Sequence, residues 1–275
     1  MKKPALKVVK DKDIEFFPER WSQVYLDWLE NLKDWCISRQ LWWGHQIPMY
    51  YCDECGWQDA SVDKIDKCPK CGANVRQDED VLDTWFSSQL WPFATQGWAD
   101  GDPDGELKNY YPTQVLSTAR DIMGLWVARM VMASEYCMKD IPFEHVLIHP
   151  TVMGADGKPM SKSRGNGVDP IDLIDEFGAD ALRFGLLTQV TGGQAMRFDK
   201  QKIENARNFG NKIRNAARFA MMNIGDSIAK EIKPNTDKDV DQWIMARLAE
   251  LVEKVDNSYK TYDFGEVTKA LYTFF

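Results

Sequence analysis

Four of the six cysteines in this chain of 275 residues fall in two close pairs, Cys52 with Cys55 and Cys68 with Cys71, and each pair is followed at once by a glycine, Gly56 or Gly72. Two knuckles of that shape aim four thiolates at one tetrahedral Zn2+, and the glycines permit the tight turns that direct backbone N–H groups at sulfur. The same pairs also suit a redox dithiol or two disulfides. No histidine or carboxylate stands out as an open catalytic ligand, so a zinc ion here is expected to be structural. A second cluster, Gly157-Lys158-Pro159-Met160-Ser161-Lys162-Ser163-Arg164-Gly165-Asn166-Gly167, puts two lysines, two serines and an arginine on a glycine-bounded loop. Lys162 is suited to neutralise charge developing on a triphosphate, with Ser161, Ser163 and backbone N–H groups donating hydrogen bonds. A solvated surface loop has the same composition. It is not a Walker A loop, because Gly154 and Gly157 have the wrong spacing and Lys158 is followed by proline.

Two further constellations are less specific. Ile122 and Trp126 stand four residues apart, on one face of a helix at 100° per residue, and with Trp85 they would wall a small apolar slot. Ordinary core packing uses the same residues. Thr118 is placed to cap that helix, with Asp121 at its third position. On a later helix Arg207, Arg214 and Arg218 share a narrow stripe opposite Phe209, Ile213, Ala216 and Ala220. That stripe reads either as contact with an RNA backbone or as a solvated face.

The elements that must carry these residues follow from periodicity. Trp21, Val24, Tyr25, Trp28, Leu29 and Leu32 recur at three- and four-residue steps, predicting a core-facing helix within residues 19–37. Residues 50–80 turn polar and rich in Cys and Gly, the composition of a small insertion that needs a metal to hold it together. Residues 113–116 and 145–148 read as strands, with a helix over 121–138 between them, which suggests a parallel α/β sheet. The loop from Gly154 to Gly167 precedes helices over about 169–177 and from about 180, and beyond Asp199 the pattern is helical. Residues 230–238, with Pro234 and Asn235, read as a linker before an amphipathic stretch over 240–254. The apolar pattern Phe264, Val267, Leu271 and Phe274 runs to the end of the chain, so the end is expected to be a cut.

Bulk properties set limits. Acidic residues number 42 against 34 basic ones, and the formal charge of −8 argues against a protein that coats nucleic acid by net charge alone, so RNA contact must use local patches. No apolar run approaches the roughly 18–20 residues of a membrane span, and the stretch MKKPALKVVKDKD lacks the apolar segment of a signal peptide. The cytosol is the default compartment, where paired cysteines favour metal over disulfides. Cys36 and Cys137 are left over as small hydrophobes.

Pro159-Met160-Ser161-Lys162-Ser163 resembles the KMSKS signature of the class I aminoacyl-tRNA synthetases. One departure is that Pro159 stands at the first signature lysine, with Lys158 one position earlier. Trp35-Cys36-Ile37-Ser38-Arg39-Gln40 resembles a block shared by the valine, isoleucine and leucine enzymes. The continuation Leu41-Trp42-Trp43-Gly44-His45, together with Asp80-Val81-Leu82-Asp83-Thr84-Trp85-Phe86-Ser87-Ser88, Arg197-Phe198-Asp199 and Arg207-Asn208-Phe209-Gly210-Asn211-Lys212, is similar to the valine branch. The resemblance covers nearly the whole chain. It implies an α/β fold, namely the C-terminal half of a Rossmann-like nucleotide-binding domain with an inserted zinc knuckle, followed by an all-α helical domain.

The implied organisation is a junction helix and Trp35–Gln40 block over 1–49 and the knuckle over 50–80. The second half of the catalytic domain then covers 81–199, a helical stem-contact region 200–236, and the start of an anticodon-binding domain 237–275. The implied reaction joins valine to tRNA(Val) through valyl-adenylate, using ATP with Mg2+. Lys162 and Lys158 are the implied catalytic residues. Pro159, Met160, Ser161, Lys162, Ser163 and Asp121 are implied to bind ATP, and Trp85, Ile122 and Trp126 to line the amino-acid pocket. Arg207, Arg214 and Arg218 would meet tRNA, and Cys52, Cys55, Cys68 and Cys71 the structural Zn2+. The family's His-x-Gly-His signature does not occur in the sequence, so a fragment is expected, monomeric in its full-length form. Residues 1–20 are expected to lead out of the family's editing domain. The alternatives are an isoleucine enzyme and a non-catalytic, zinc-stabilised RNA-binding remnant.

Overall fold

The computed structural model describes residues 1–154, 156–161, 164–192, 195–224 and 238–275. They form two compact units, Met1–Val146 and Leu147–Phe275. The first opens with α1 (Lys2–Lys10), whose Ala5, Val8 and Val9 are buried, then β1 (Glu15–Phe17) and α2 (Arg20–Glu30). Trp21, Tyr25 and Leu29, four residues apart, form the buried face of α2, and the Tyr25 hydroxyl donates to the Ala5 carbonyl at 3.2 Å. The expected helix stops short of Ile37, and Val24 is 45% exposed. Asn31 ends it by turning its side-chain amide onto the Asp27 carbonyl at 2.8 Å, the local competition that makes Asn a poor helix former.

The chain then runs extended into β2 (Ser38–Arg39), which pairs antiparallel with β6 (Val81–Leu82). The knuckle is inserted between them as its own antiparallel sheet, in the order β4-β3-β5, of β3 (Met49–Tyr51), β4 (Gln58–Ala60) and β5 (Arg76–Gln77). After β6 come three short helices, α3 (Thr84–Ser88), α4 (Trp91–Ala94) and α5 (Glu106–Tyr110), and then β7 (Thr113–Ala119). A helical segment ending in α6 (Ala128–Cys137) leads to β8 (Phe143–His149). The main sheet has the order β1-β8-β7, so the first residues of the chain supply an edge strand. Residues 1–20 are part of this unit. α6 is its apolar centre, with Ala128 through Ser134 all buried.

Two details of this segment correct the sequence reading. Thr118 does not cap a helix: it stays in β7 and is 4% exposed, its side chain drawn into the core. Nor is the stretch from Asp121 a uniform α-helix. A 3-10 turn (Arg120–Ile122) passes into a π-turn (Met123–Val127), so Ile122 and Trp126 do not share a face in the way a 100° step predicts. This turn packs against α2, with the Trp28 indole so close to Gly124 that a Cβ there would lie 2.4 Å from it.

The second unit pairs β9 (Thr151–Met153) in parallel with β10 (Ala195–Arg197), Val152 opposite Met196. Between them lie the loop and helices α7 (Pro170–Phe177) and α8 (Ala179–Leu187). Asp169 caps α7 by accepting the Ile171 amide at 2.8 Å, and Pro170 takes the first helical position, where no N–H is needed. Leu173, Ala181, Leu182 and Ile203 form a core, with Ile174, Phe177, Leu186 and Phe198 packed around it. α9 (Lys200–Ile224) lies against α8. α10 (Asp239–Lys260) and α11 (Phe264–Phe274) complete the unit, the second capped by Asp263. Of the expected linker over 230–238, only Lys238 falls among the described residues. No helix of the described residues is long and apolar enough to cross a membrane.

Two glycines give opposite expectations. A Cβ on Gly185 would stand 2.8 Å from the Ile203 Cα, where backbone cannot yield, whereas one on Gly210 meets nothing within 4 Å. Gly185→Ala is expected to destabilise this unit by about 1–3 kcal/mol. Gly210→Ala is expected to stabilise it by about 0.5–1 kcal/mol through helix propensity. Urea unfolding of both variants checks the signs.

Candidate active site and metal centre

Each knuckle is built by a glycine in the left-handed region. Gly56 (φ +68°) donates its amide to the Cys52 carbonyl at 3.0 Å, and Gly72 (φ +77°) to the Cys68 carbonyl at 2.9 Å. The turns close with the Cys52 amide on Trp57 O (2.8 Å) and the Cys68 amide on Ala73 O (2.7 Å). The result brings all four sulfurs within 4.8 Å of one another, Cys52 and Cys71 at 3.5 Å and Cys55 and Cys68 at 3.6 Å. All are free thiols. Four sulfurs around one ion at about 2.3 Å would stand about 3.8 Å apart, so the cluster fits a tetrahedral cation and is too open for disulfides.

The thiols' acidities split in the way such crowding demands. Burial pushes Cys68 up, but amides of Cys71 and Lys70 outweigh it and hold the thiol at about 7. At Cys71 the Ala73 amide pulls down, yet the neighbouring sulfurs, Cys55 and Cys52 first, push it up to about 12. Four sulfurs this close cannot all ionise without a cation among them.

Asp83 anchors the region around the expected amino-acid pocket. Its Oδ1 accepts the Trp85 amide at 2.7 Å, which caps α3, and its Oδ2 is paired with Arg39. α3 lies against the π-turn, and the Trp126 indole N–H donates to the Ser88 carbonyl at 3.2 Å. Trp126 also meets Trp91, ring centroids 6.0 Å apart, a neighbour that the sequence reading did not name. Trp85, Ile122 and Trp126 are all half-buried. Asp121 is exposed and pairs with Arg120 at 3.3 Å.

The loop after β9 is framed by backbone. Gly154 N–H donates to Lys158 O (2.8 Å), Met160 N–H to Val152 O (3.1 Å), and Met153 bridges Pro159. Gly157, at φ +71°, makes the turn. Asn166 spans the loop: its Oδ1 accepts the Ser161 amide at 3.0 Å and its Nδ2 donates to Pro159 O and Asp156, both at 3.4 Å. Lys158 and Pro159 are exposed, Met160 and Ser161 half-buried. Lys162 and Ser163 lie outside the described residues. A cavity of about 1050 Å³ beside the loop is lined by Asp156, Met160, Asn166, Arg197, Asp199 and Lys200 among others. Arg197 reaches the turn, its Nη2 within 3.4 Å of where a Gly157 side chain would begin. Sequence reading quoted Arg197 only for resemblance; its strand, β10, is too short to announce itself.

On α9, Arg214 and Arg218 are exposed. Arg207 is half-buried, lies over the Phe177 ring at 5.5 Å and pairs with Glu204 at 3.4 Å. Ile203, Ala206 and Phe209 form the packed face, but Ala216 and Ala220, expected on it, are exposed. Among the described residues nothing covers the last turns of this helix.

A Rossmann-like α/β half with an inserted thiol knuckle, a glycine-turned loop and a helical sequel is the architecture of one synthetase class. Residues 1–199 match the family model of tRNA synthetases class I (I, L, M and V), and residues 241–275 match that of the anticodon-binding domain of tRNA ligase. The chain belongs to the class I tRNA synthetases.

Within that family its similar relatives are valine–tRNA ligases. That of Clostridium tetani is 50% identical over 99% of this chain and 31% of its own length, and that of Thermotoga maritima 49% over 99% and 31%. The chain thus spans about a third of the length of these relatives. A similar fold occurs in an Agrobacterium radiobacter K84 LeuRS-tRNA-LeuAMS ternary complex, with TM-score 0.74, 23% identity, and coverage of 88% of this chain and 36% of that one. A Mycobacterium tuberculosis methionyl-tRNA synthetase in complex with methionyl-adenylate gives TM-score 0.74 at 20% identity, over 99% and 49%.

Asn166 is the side chain that ties the loop together. Asn166→Ala is expected to release the Ser161 amide, a hydrogen bond worth about 1 kcal/mol, and so speed its hydrogen exchange about fivefold. Exchange at Leu182 in the core should not change.

Proposed function

We propose that this chain carries part of the aminoacylation machinery of a valine-specific synthetase. That enzyme activates valine with ATP to valyl-adenylate and transfers it to tRNA(Val). The observation that carries the reading is the near-half identity to valine–tRNA ligases across almost every residue. In this reading the exposed Lys158 and the Lys162 that follows it act on the departing phosphates, beside Pro159, Met160, Ser161 and Ser163. Charge stabilisation that appears only as pyrophosphate leaves raises the rate rather than the affinity. Asp121 takes part in ATP binding and Mg2+ accompanies the triphosphate, neutralising its charge. Trp85, Ile122 and Trp126 select valine by size. Arg207, Arg214 and Arg218 follow the tRNA backbone; Arg207 is the least available, since it already holds Glu204.

Cys52, Cys55, Cys68 and Cys71 would hold Zn2+ in a structural role. The support is the donor set: four sulfurs at tetrahedral spacing on an insertion whose described interior is little more than Tyr50 and two of the cysteines.

In the synthetase that carries this segment, Lys162→Ala is expected to lower valine-dependent ATP–pyrophosphate exchange by about 10²-fold while the KM for valine changes little. Unaltered exchange refutes the role of the loop. Exchange that prefers isoleucine to valine moves the protein to the isoleucine branch.

Protein purified without added metal is expected to contain one equivalent of zinc per chain, and chelation should loosen residues 50–80 selectively in hydrogen exchange. Less than a tenth of an equivalent, with unchanged exchange after chelation, removes the zinc.

A further inference from the structure

Within the first unit, beyond the end of α2, lies a cavity of about 410 Å³ whose lining includes Trp28, Trp35, Cys36, Arg39 and Arg129. Arg129 is 7% exposed, and its guanidinium carbon sits 3.4 Å from the centroid of the Trp35 ring. Its Nη1 is buried and has no hydrogen-bond partner. An arginine is protonated at any pH a protein meets; the Trp35 face offsets part of the cost of burying that charge, but a buried N–H without an acceptor is still penalised. Something should compensate it.

The surrounding groups do not. The nearest carboxylate acting on Arg129 is Asp83, but Asp83 commits Oδ1 to the Trp85 amide and Oδ2 to Arg39. Arg39 in turn spends Nη1 on the carbonyls of Cys36 at 2.7 Å and Ser38 at 2.8 Å. Two guanidinium groups against one carboxylate leave one positive charge. Lys33 and Asp34, both exposed on the lining, are of opposite sign and leave that balance unchanged. The cavity is also larger than a bare ion needs, lying within the roughly 300–1000 Å³ usual for small-molecule sites.

We propose that this cavity binds an oxyanion, a carboxylate or phosphate carried on a flat apolar body, with the Arg129 guanidinium donating to the anion and the body against the Trp28 and Trp35 indoles. None of these residues belongs to the loop, the knuckle or the valine pocket assigned above.

Cys36 supplies a reporter at the site. Its exposed thiol contacts Ser38 Oγ at 3.3 Å, and that hydrogen bond, with help from Arg39, lowers its pKa. Alkylation by iodoacetate or iodoacetamide forms one C–S bond and expels iodide, and the ratio of the two rates cancels the thiolate fraction. Mass spectrometry of the chain reads both rates at Cys36. The reference is the same thiol in urea-unfolded chain, where Arg39 is still near in sequence and Arg129 is not. Folding is expected to raise the iodoacetate-to-iodoacetamide ratio at least fivefold.

Millimolar benzoate should slow iodoacetamide alkylation of Cys36 at least threefold while its neutral isostere benzamide does not. Inorganic phosphate in a parallel arm tells a phosphate site from a carboxylate site; protection by neither anion overturns the proposal. Arg129→Gln should abolish both the ratio and the protection, and their survival in a folded variant overturns it. If Arg129→Gln does not fold, the wild-type comparison of benzoate with benzamide decides, equal protection by the two sinking the idea.

Discussion

The first unit hangs on one buried carboxylate. Asp83 accepts the Trp85 amide and pairs with Arg39, while its own amide donates to Ile37 O at 2.7 Å. Each partner belongs to a different part of the structure: the capped helix α3, the strand β2 and the extended segment before it. Removing one partner of such a pair leaves the other charge stranded in a poor dielectric, which is why the three parts are coupled. The pair also closes the base of the insertion, because β2 and β6 flank residues 40–80 and nothing else so buried joins them. Loop-closure entropy grows only slowly with length, so a clamp of this strength tolerates a whole metal-binding module in the loop. The module has its own three-stranded sheet and its own sulfur cluster.

What was legible in the sequence was what local chemistry determines. The cysteine pairs with their trailing glycines announced both knuckles, since a left-handed turn after each second cysteine is nearly a glycine's prerogative. Asp169-Pro170 announced the start of α7 through a side-chain cap and a residue that lacks only the N–H a helix start does not use. What stayed hidden was set by distant neighbours. The π-turn at Met123–Val127 packs against Trp28, far away in sequence, and no periodicity on the segment itself encodes it. Strand β1, three residues long, exists because β8 offers an edge. Thr118 looked like a cap from its position before a helix and is instead held in the sheet by burial. Of the proposed site, resemblance alone names the loop and pocket residues, while the contacts of Trp91, Arg197 and Asn166 emerge from their three-dimensional company.

An acidic chain proposed to handle triphosphate and RNA must keep its charges apart, and the arrangement of the loop does so. The carboxylate nearest its turn, Asp156, is occupied by the Lys158 amide at 3.0 Å and by Asn166. Among the described residues the loop's frame uses main-chain groups and Asn166, and the Lys158 and Arg164 side chains are exposed. The formal charge of −8 acts at long range, where salt screens it beyond about 8 Å. Inside that distance the local groups decide: the cavity beside the loop sets Arg197, Lys200 and Lys202 against Asp156 and Asp199. Net charge would therefore limit how fast an anionic substrate is drawn in from solution, whereas under the proposed function the strength with which the loop would hold a phosphate depends on this local set.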